Sequence, residues 1–455
     1  MERFDVIVIG FGNGGKFLAG SLAAQGQRVA FVEKSDMMYG GTCPNVGCVP
    51  TKFLVNRAEM ARIKGFASFE EKAAFYAQSI RDKKELREKI LGKMFNTFGG
   101  NPNITLYTGT AKFVSPKEIE ISGKDFTAAI TADKIVIDTG SVPFIPPIEG
   151  LKECRCAYVS EGMLDLERLP KRLVVIGGGN IGLEFASFYR QFGSEVTVLQ
   201  DLPAFFPNED DDVAAVVKET MEAQGIELIA GVNVLSVKDE GEGAAVKYIV
   251  GGDEKEVKCD AVLVSTGRVP NTRELNLGAA GVETTSRGTI AVDERMRTTA
   301  SGIWAIGDVA GSPQFTYISQ DDARIVMDDF KGGGRTSAGR NVPYSVFLAP
   351  PLSRVGLTEK AALAKGYKIK TAVIPVTGLP RSHVLGKYTG MLKAVVDADS
   401  GLILGAALYC EESHEMINIV TLAMNEKLSY TVLRDMIFTH PVMSEAFNDL
   451  FAAVK

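Results

Sequence analysis

No stretch of this 455-residue chain approaches the roughly twenty consecutive apolar residues that a membrane-spanning helix needs. Positive charge is not in excess either. Fifty lysines and arginines stand against 56 aspartates and glutamates, and a net charge of −6 argues against a nucleic-acid partner. Strand-like residues begin at Phe4, which leaves no room for a secretory leader, so the expected compartment is the cytoplasm. The six cysteines are then expected to remain without a structural disulfide. Histidine is scarcer still, with three in the whole chain. What is present fits ordinary globular cores: 45% hydrophobic and 23% charged residues, in a length that suits about three domains.

Glycine, by contrast, is placed with a purpose. The segment Phe4 to Ile9 reads as a short buried strand, followed by Gly10, Gly12 and Gly15 in G-x-G-x-x-G spacing and a helix-like stretch through Ala24. A second strand, Arg28 to Val32, ends at Glu33. Such glycines let a pyrophosphate approach a helix N-terminus, and an acid about twenty residues on can hold ribose hydroxyls. The same order recurs from Lys171: a strand to Ile176, then Gly177, Gly179 and Gly182, a helix through Glu184 and Phe188, and a strand from Glu195 to Leu199 that ends at Gln200. Two dinucleotide sites on one chain are predicted.

Between them lies a thiol pair. Cys43 and Cys48 stand in GGTCPNVGCVPTK, Gly40 to Lys52, about thirty residues beyond the first loop. Closely spaced cysteines in an intracellular enzyme more often serve redox chemistry or bind metal than hold a fold together.

Taken together, these motifs resemble those of the class I pyridine nucleotide-disulfide oxidoreductases, the flavoenzyme family that includes glutathione reductase, dihydrolipoamide dehydrogenase and mercuric reductase. Three further segments carry the resemblance: IGDVAG from Ile306, STGRVPN from Ser265 and THPVMSE from Thr439. QFTYIS from Gln314, NVPYSVF from Asn341, PPLSRVG from Pro350 and SHEMINIV from Ser413 resemble the RclA-type, reactive-chlorine-resistance subgroup, associated with reduction of hypothiocyanous acid.

The resemblance implies an α/β fold with two Rossmann-like dinucleotide-binding domains, for FAD and for NADH or NADPH, and a C-terminal α+β dimerisation domain. The FAD-binding domain is expected at 1–147 and 267–335, the NAD(P)-binding domain at 148–266, and the dimerisation domain at 340–455. The glycine-rich run Lys331 to Gly339 reads as a linker, and charged Phe69 to Lys93 as helices packed on the first domain. Around the cofactors the resemblance places Gly41, Thr42, Lys52, Thr139, Gly140, Gly267, Arg268, Gly307 and Asp308, with Asp308 reaching the ribityl chain, and Asn180 and Ile181 at the second loop.

It also implies roles. Cys48 is the flavin-side thiol and Cys43 the outer nucleophile, which needs a depressed pKa or an adjacent base. His440 is the candidate base, oriented by Glu445 and brought to the site by the partner subunit of a homodimer. Lys52 and Glu184 form a pair beside the flavin.

Departures from the family narrow the reading. Asn180 stands where many members carry a tyrosine gate, Gln200 replaces the acid of an NAD site, and no arginine between Asp201 and Pro207 offers a clamp for a 2′-phosphate, which leans towards NADH. Neither an N-terminal extension with its own C-x-x-C nor a terminal cysteine pair is expected. The favoured substrate is therefore a small electrophilic oxidant, hypothiocyanous acid first. The alternatives are a Cu(II) or Hg(II) reductase, a dihydrolipoamide dehydrogenase and a redox-sensing binding protein. No metal site is expected: Cys154 and Cys156 alternate, so on a strand their thiols face opposite ways, Cys259 and Cys410 lie in apolar runs, and Met416, Met424, Met436 and Met443 read as core filler.

Overall fold

The computed structural model describes residues 1–455. Its first sheet grows from the apolar run at the N-terminus. Strand Glu2–Ile9 pairs in parallel with Val29–Glu33 on one side and Thr127–Ile137 on the other, and Ile104–Thr108 and Ile303–Ala305 extend the parallel set. Val6, Ile7 and Val8 are fully buried because both faces are covered: Val6 and Val8 pack on helices Asn13–Ala24 and Thr316–Asp329, and Ile7 on the antiparallel strands Thr110–Ser115 and Glu118–Ser122 with the segment around Leu275 and Ile290. The carboxyl ends of three of these strands, at Ile9, Ile137 and Ala305, bring Gly10, Asp138 and Gly307 together; in doubly wound sheets this end is where ligands bind.

The second sheet repeats the plan with Ile226–Ile229, Glu195–Leu199, Arg172–Ile176, Ala261–Val264 and Ala157–Val159, all parallel. An antiparallel meander, Asn233–Glu240, Gly243–Val250 and Asp253–Cys259, lies beside it. A two-stranded ribbon of Ser141–Pro143 and Arg268–Pro270 marks where the chain leaves the first unit and returns. Arg268 fastens that ribbon, donating from Nε to Ser141 Oγ at 2.8 Å and from Nη2 to Ser141 O at 2.7 Å.

Charged Phe69 to Lys93 proves to be part of one 31-residue helix, Phe69–Gly99, started by a capping box in which Ser68 and Glu71 satisfy each other's backbone N–H groups. Nor does it pack on the first unit alone. Phe69, Ala73, Tyr76 and Ile80 form an i, i+4, i+7, i+11 stripe that the interleaved charges disguise in sequence. The stripe joins the core that holds Phe188, Tyr189 and Phe192 of the second unit, and the Tyr76 and Tyr189 hydroxyls meet at 2.8 Å. Further along, Leu91, Met94 and Phe98 pack on the first unit. The helix thus braces the two nucleotide folds.

An antiparallel sheet of Tyr344–Val346, Leu352–Gly356, Ile403–Tyr409, Met391–Asp397 and Ile369–Pro375 ends the chain, packed by Met416, Val420 and Phe447. The Lys331 to Gly339 run that leads to it is pinned at its edges. Arg335 pairs with Asp321 at 2.5 Å, and Arg340 with fully buried Asp322 at 2.7 Å. Asp322 also accepts the Gly307 N–H at 2.9 Å, so the linker's far end steadies the loop that carries Asp308. No helix is long and apolar enough to cross a membrane.

Candidate functional site

The first glycine loop is closed by a residue the sequence reading did not single out. A Cβ at Gly10, where φ is +101°, would lie 2.3 Å from the Asp138 carbonyl, and one at Gly12 would lie 2.4 Å from Asp138 Oδ2. The same carboxylate accepts the Gly15 N–H at 2.6 Å, and Ser319 Oγ accepts the Gly14 N–H at 2.9 Å. Burial raises the Asp138 carboxyl pKa well above the ordinary value, opposed by the Gly15 hydrogen bond. The sequence signal for Asp138 was its place directly after the buried run Ile135 to Ile137.

At the neighbouring strand end, Glu33 accepts the Phe11 N–H at 3.0 Å and the Ser35 N–H at 3.2 Å, one on each oxygen, leaving lone pairs for ribose hydroxyls. Gly41 presses on this loop, with a Cβ there only 2.7 Å from Gly12 Cα, and Thr42 begins the next helix. Thr139 donates to Asn271 O at 2.8 Å, Gly140 turns with φ +66°, and Ser141 donates to Asp308 Oδ2 at 2.6 Å. Backbone this close, at a helix N-terminus with no side-chain cap, fits an adenine dinucleotide and its pyrophosphate.

The second loop copies the first. Gly177 has φ +103°, and a Cβ at Gly182 would lie 2.1 Å from Gly177 O. Gly179 faces open space at the uncapped start of helix Asn180–Phe192, with Asn180 and Ile181 exposed beside it. Gln200 takes the part that Glu33 plays, its Oε1 accepting the Gly178 N–H at 2.7 Å. Gly267, at φ +112°, lies in the returning segment next to Arg268.

Between the loops stand the two cysteines, both free thiols. Cys43 belongs to helix Thr42–Val46, and Gly47 breaks the chain so that Cys48 opens helix Cys48–Lys64. Asn45 holds the bend by donating to Tyr39 O at 3.0 Å and Gly41 O at 2.8 Å. A hydrogen bond from Cys43, with help from the Thr316 hydroxyl and the Lys52 charge, lowers the Cys48 pKa to about 6, and a helix N-terminus suits a thiolate there. Its hydrogen bond to Cys48, and burial, push the Cys43 thiol up. Of the two means expected to activate Cys43, a depressed pKa or an adjacent base, this environment leaves the second.

Thr316, 3.4 Å from Cys48 Sγ, stands at the start of helix Thr316–Asp329, and its carbonyl accepts from Asn13 of the first loop at 3.2 Å. Sequence reasoning quoted its segment without assigning it a contact. Lys52 pairs with Glu184 at 2.6 Å and lies 4.5 Å from the Phe347 ring centroid, while the Phe347 N–H donates to Glu184 at 2.9 Å. All three folded units meet at this pair; nothing local in the sequence pointed to Phe347. His440 and Glu445 meet each other, Nδ1 to Oε2, at 2.8 Å. Since the carboxylate only accepts, Nδ1 carries the proton and Nε2 is left as a base. The His440 side chain is 67% exposed and makes no hydrogen bond to either thiol of its own subunit.

Cys154 and Cys156 require a correction. They lie in a turn and not on a strand, and their sulfurs are 3.5 Å apart. Cys259 and Cys410 are core, as are Met416 and Met443, with Met424 packed against them, whereas Met436 is exposed.

Alanine at position 43 is expected to raise the Cys48 pKa from about 6 towards the ordinary 9.0, because it removes the largest favourable contact of the thiolate. A pH titration of ultraviolet thiolate absorbance reads this cleanly, since burial pushes the thiols of Cys154, Cys156, Cys259 and Cys410 upward, out of that window. An unchanged titration would remove Cys43 as the donor.

Residues 4–323 match the family "Pyridine nucleotide-disulphide oxidoreductase", and residues 342–451 match the dimerisation domain of that family. The chain is 42% identical over 457 aligned residues, all of both chains, to the probable pyridine nucleotide-disulfide oxidoreductase RclA of Escherichia coli. It is 33% identical to a mercuric reductase of Staphylococcus aureus, over 98% of this chain and 81% of that protein. With a dihydrolipoyl dehydrogenase of Thermus scotoductus it shares 34% over 100% and 98%. The structure superposes with a TM-score of 0.93, over all of both chains at 42% identity, on the Cu(II) complex of the HOCl-induced flavoprotein disulfide reductase RclA from Escherichia coli.

Proposed function

The chain belongs to the pyridine nucleotide-disulphide oxidoreductase family, and on that premise we propose that it takes electrons from NADH and reduces a small electrophilic sulfur compound, hypothiocyanous acid first, through Cys43 and Cys48. The observation that carries the reading is the place of two free thiols at the foot of a dinucleotide cradle, with Cys48 Sγ 3.4 Å from the Thr316 hydroxyl and the Lys52–Glu184 pair one helical turn on. Gly10, Gly12, Gly15, Glu33, Gly41 and Asp308 would hold FAD, which when bound would supply the two-electron link between nicotinamide and sulfur.

The chain's own groups do the rest. Cys43 holds the proton, so it becomes a nucleophile only when a base removes it. In a homodimer, Nε2 of the partner subunit's His440 is that base, aligned by its carboxylate. The Cys43 thiolate attacks the sulfur of hypothiocyanous acid; an S–S bond forms, the S–O bond breaks, and hydroxide leaves and is protonated to water. Cys48 then attacks the Cys43 sulfur and expels thiocyanate, and the dithiol that gave two electrons is left as a disulfide. Lys52, held against Glu184 and Phe347, keeps a positive charge beside the Cys48 thiolate.

NADH is favoured over NADPH because Gln200 is neutral and already bonded to the loop, while Asp201 follows it and no cation between 201 and 207 would meet a 2′-phosphate. A cytoplasmic setting suits six free thiols. A role in defence against reactive chlorine draws support from the HOCl-induced relative. That relative's Cu(II) complex, together with the mercuric reductase likeness, supports a second reading in which the dithiol holds a thiophilic metal ion for reduction.

Steady-state oxidation of NADH and NADPH by the flavin-loaded enzyme, against hypothiocyanous acid, oxidised glutathione, lipoamide, Hg(II) and Cu(II), tests the assignment. The expected result is fastest turnover with NADH and hypothiocyanous acid. Preference for lipoamide or a metal ion would overturn the substrate, and preference for NADPH the nicotinamide.

A further inference from the structure

The turn that enters the second nucleotide unit carries chemistry that the disulfide reaction does not use. Cys154 and Cys156 are 7% and 6% exposed, with their sulfurs 3.5 Å apart. The Asp239 carboxylate, near the end of strand Asn233–Glu240, joins them, and the three ligand atoms all lie within 4.8 Å of one another. We propose that Cys154, Cys156 and Asp239 form a binding site for a thiophilic divalent cation, zinc(II), which clasps this turn to the antiparallel meander.

Three features of the geometry favour this ion. Two thiolates bound at about 2.3 Å to a tetrahedral zinc stand about 3.8 Å apart, close to the separation present here. Sulfurs on opposite sides of a linear Cu(I) centre would stand further apart. The donor set, two sulfurs and a carboxylate oxygen, is also one that zinc accepts, with water free to complete the tetrahedron. Moreover, the carboxylate is already tied to the turn. The Arg155 N–H donates to Asp239 Oδ1 at 3.0 Å, so the acid and the thiols are held in one frame before any ion arrives.

The Arg155 guanidinium is the competitor, with Nε on Asp239 Oδ2 at 2.8 Å and Nη2 on Gly241 O at 3.3 Å; its side chain is 77% exposed, so water can replace both contacts when an ion displaces it. Zinc takes its sulfur ligands as thiolates, so capture of the ion releases protons and the affinity climbs with pH. Cys259, fully buried beside them, supplies a further sulfur to the neighbourhood. The site is independent of Cys43 and Cys48.

The test uses full-length, flavin-loaded, reduced protein carrying Cys43→Ser and Cys48→Ser, so that the other dithiol is silent. Zinc(II) is titrated against a colorimetric chelator at two pH values. One ion per chain, bound more tightly at the higher pH, is expected, and Cys154→Ser with Cys156→Ser should weaken it at least about a hundredfold. Arg155→Ala should tighten it by freeing the carboxylate, and exposed Asp239→Asn, which leaves the buried core alone, should weaken it should the cysteine variants fail to fold. No retained zinc, affinity unchanged in Asp239→Asn or in the folded cysteine variant, or a Cys154–Cys156 disulfide that reductant cannot open would each overturn the proposal.

Discussion

Cys43→Ser is expected to lose turnover on hypothiocyanous acid by at least about a thousandfold while nicotinamide still reduces the bound flavin at the wild-type rate. The split follows from position. Cys43 lies in helix Thr42–Val46, on the far side of the Gly47 break from Cys48, and it is Cys48 that meets Thr316 and feels the charges of Lys52 and Glu184. Serine at 43 keeps a hydroxyl donor for the Cys48 thiolate but is a far weaker nucleophile towards sulfur. Stopped-flow flavin reduction and steady-state turnover on one preparation separate the two half-reactions. Full turnover in the variant would exclude Cys43 from the reaction, and loss of both half-reactions would place it in the cofactor site.

His440→Ala is expected to lower turnover by about a hundredfold to ten-thousandfold, the usual worth of a positioned base, again without slowing flavin reduction. The hydrogen-bonded proton on Cys43 makes a base necessary, and His440 offers one free ring nitrogen on an exposed ring. Glu445→Gln should lose less, because the amide can still hold the ring but cannot balance the charge of a protonated imidazole. Since His440 makes no bond to the thiols of its own chain, mixing inactive Cys43→Ser subunits with inactive His440→Ala subunits should restore part of the activity in mixed dimers, where one of the two sites is intact. An active, verified monomer would contradict the arrangement across subunits.

Much of the site was legible because its grammar is local. A glycine loop, the strand before it and the acid or amide after it are set within about thirty residues, so Gly10 to Glu33 and Gly177 to Gln200 carry the steric rules of a dinucleotide turn in their spacing. The pair Lys52 and Glu184 was foreseen only through resemblance to a family, since 132 positions separate them. Phe347, which touches both, was not foreseen, because its role depends on how the C-terminal sheet docks.

The Phe69–Gly99 helix illustrates the same limit. Its apolar stripe was interrupted by charges, one of which, Lys83, is itself buried and donates to Leu164 O at 2.6 Å. A hydrophobic pattern cannot announce a lysine that finds its partners 81 residues away. Cys154 and Cys156 were misjudged for a related reason: alternation separates side chains on a strand, but a turn swings them together, and the choice between strand and turn was made by packing against the meander.

By itself, then, the sequence determined the two nucleotide folds, because backbone sterics and motif spacing act over short separations; the roles of the thiols and of His440 were expectations carried by the family resemblance. Only the tertiary structure decided what surrounds the two thiols, which helix braces the two units and what surrounds Lys52, because hydrogen bonds, burial and charge act between residues that the chain brings together from far apart.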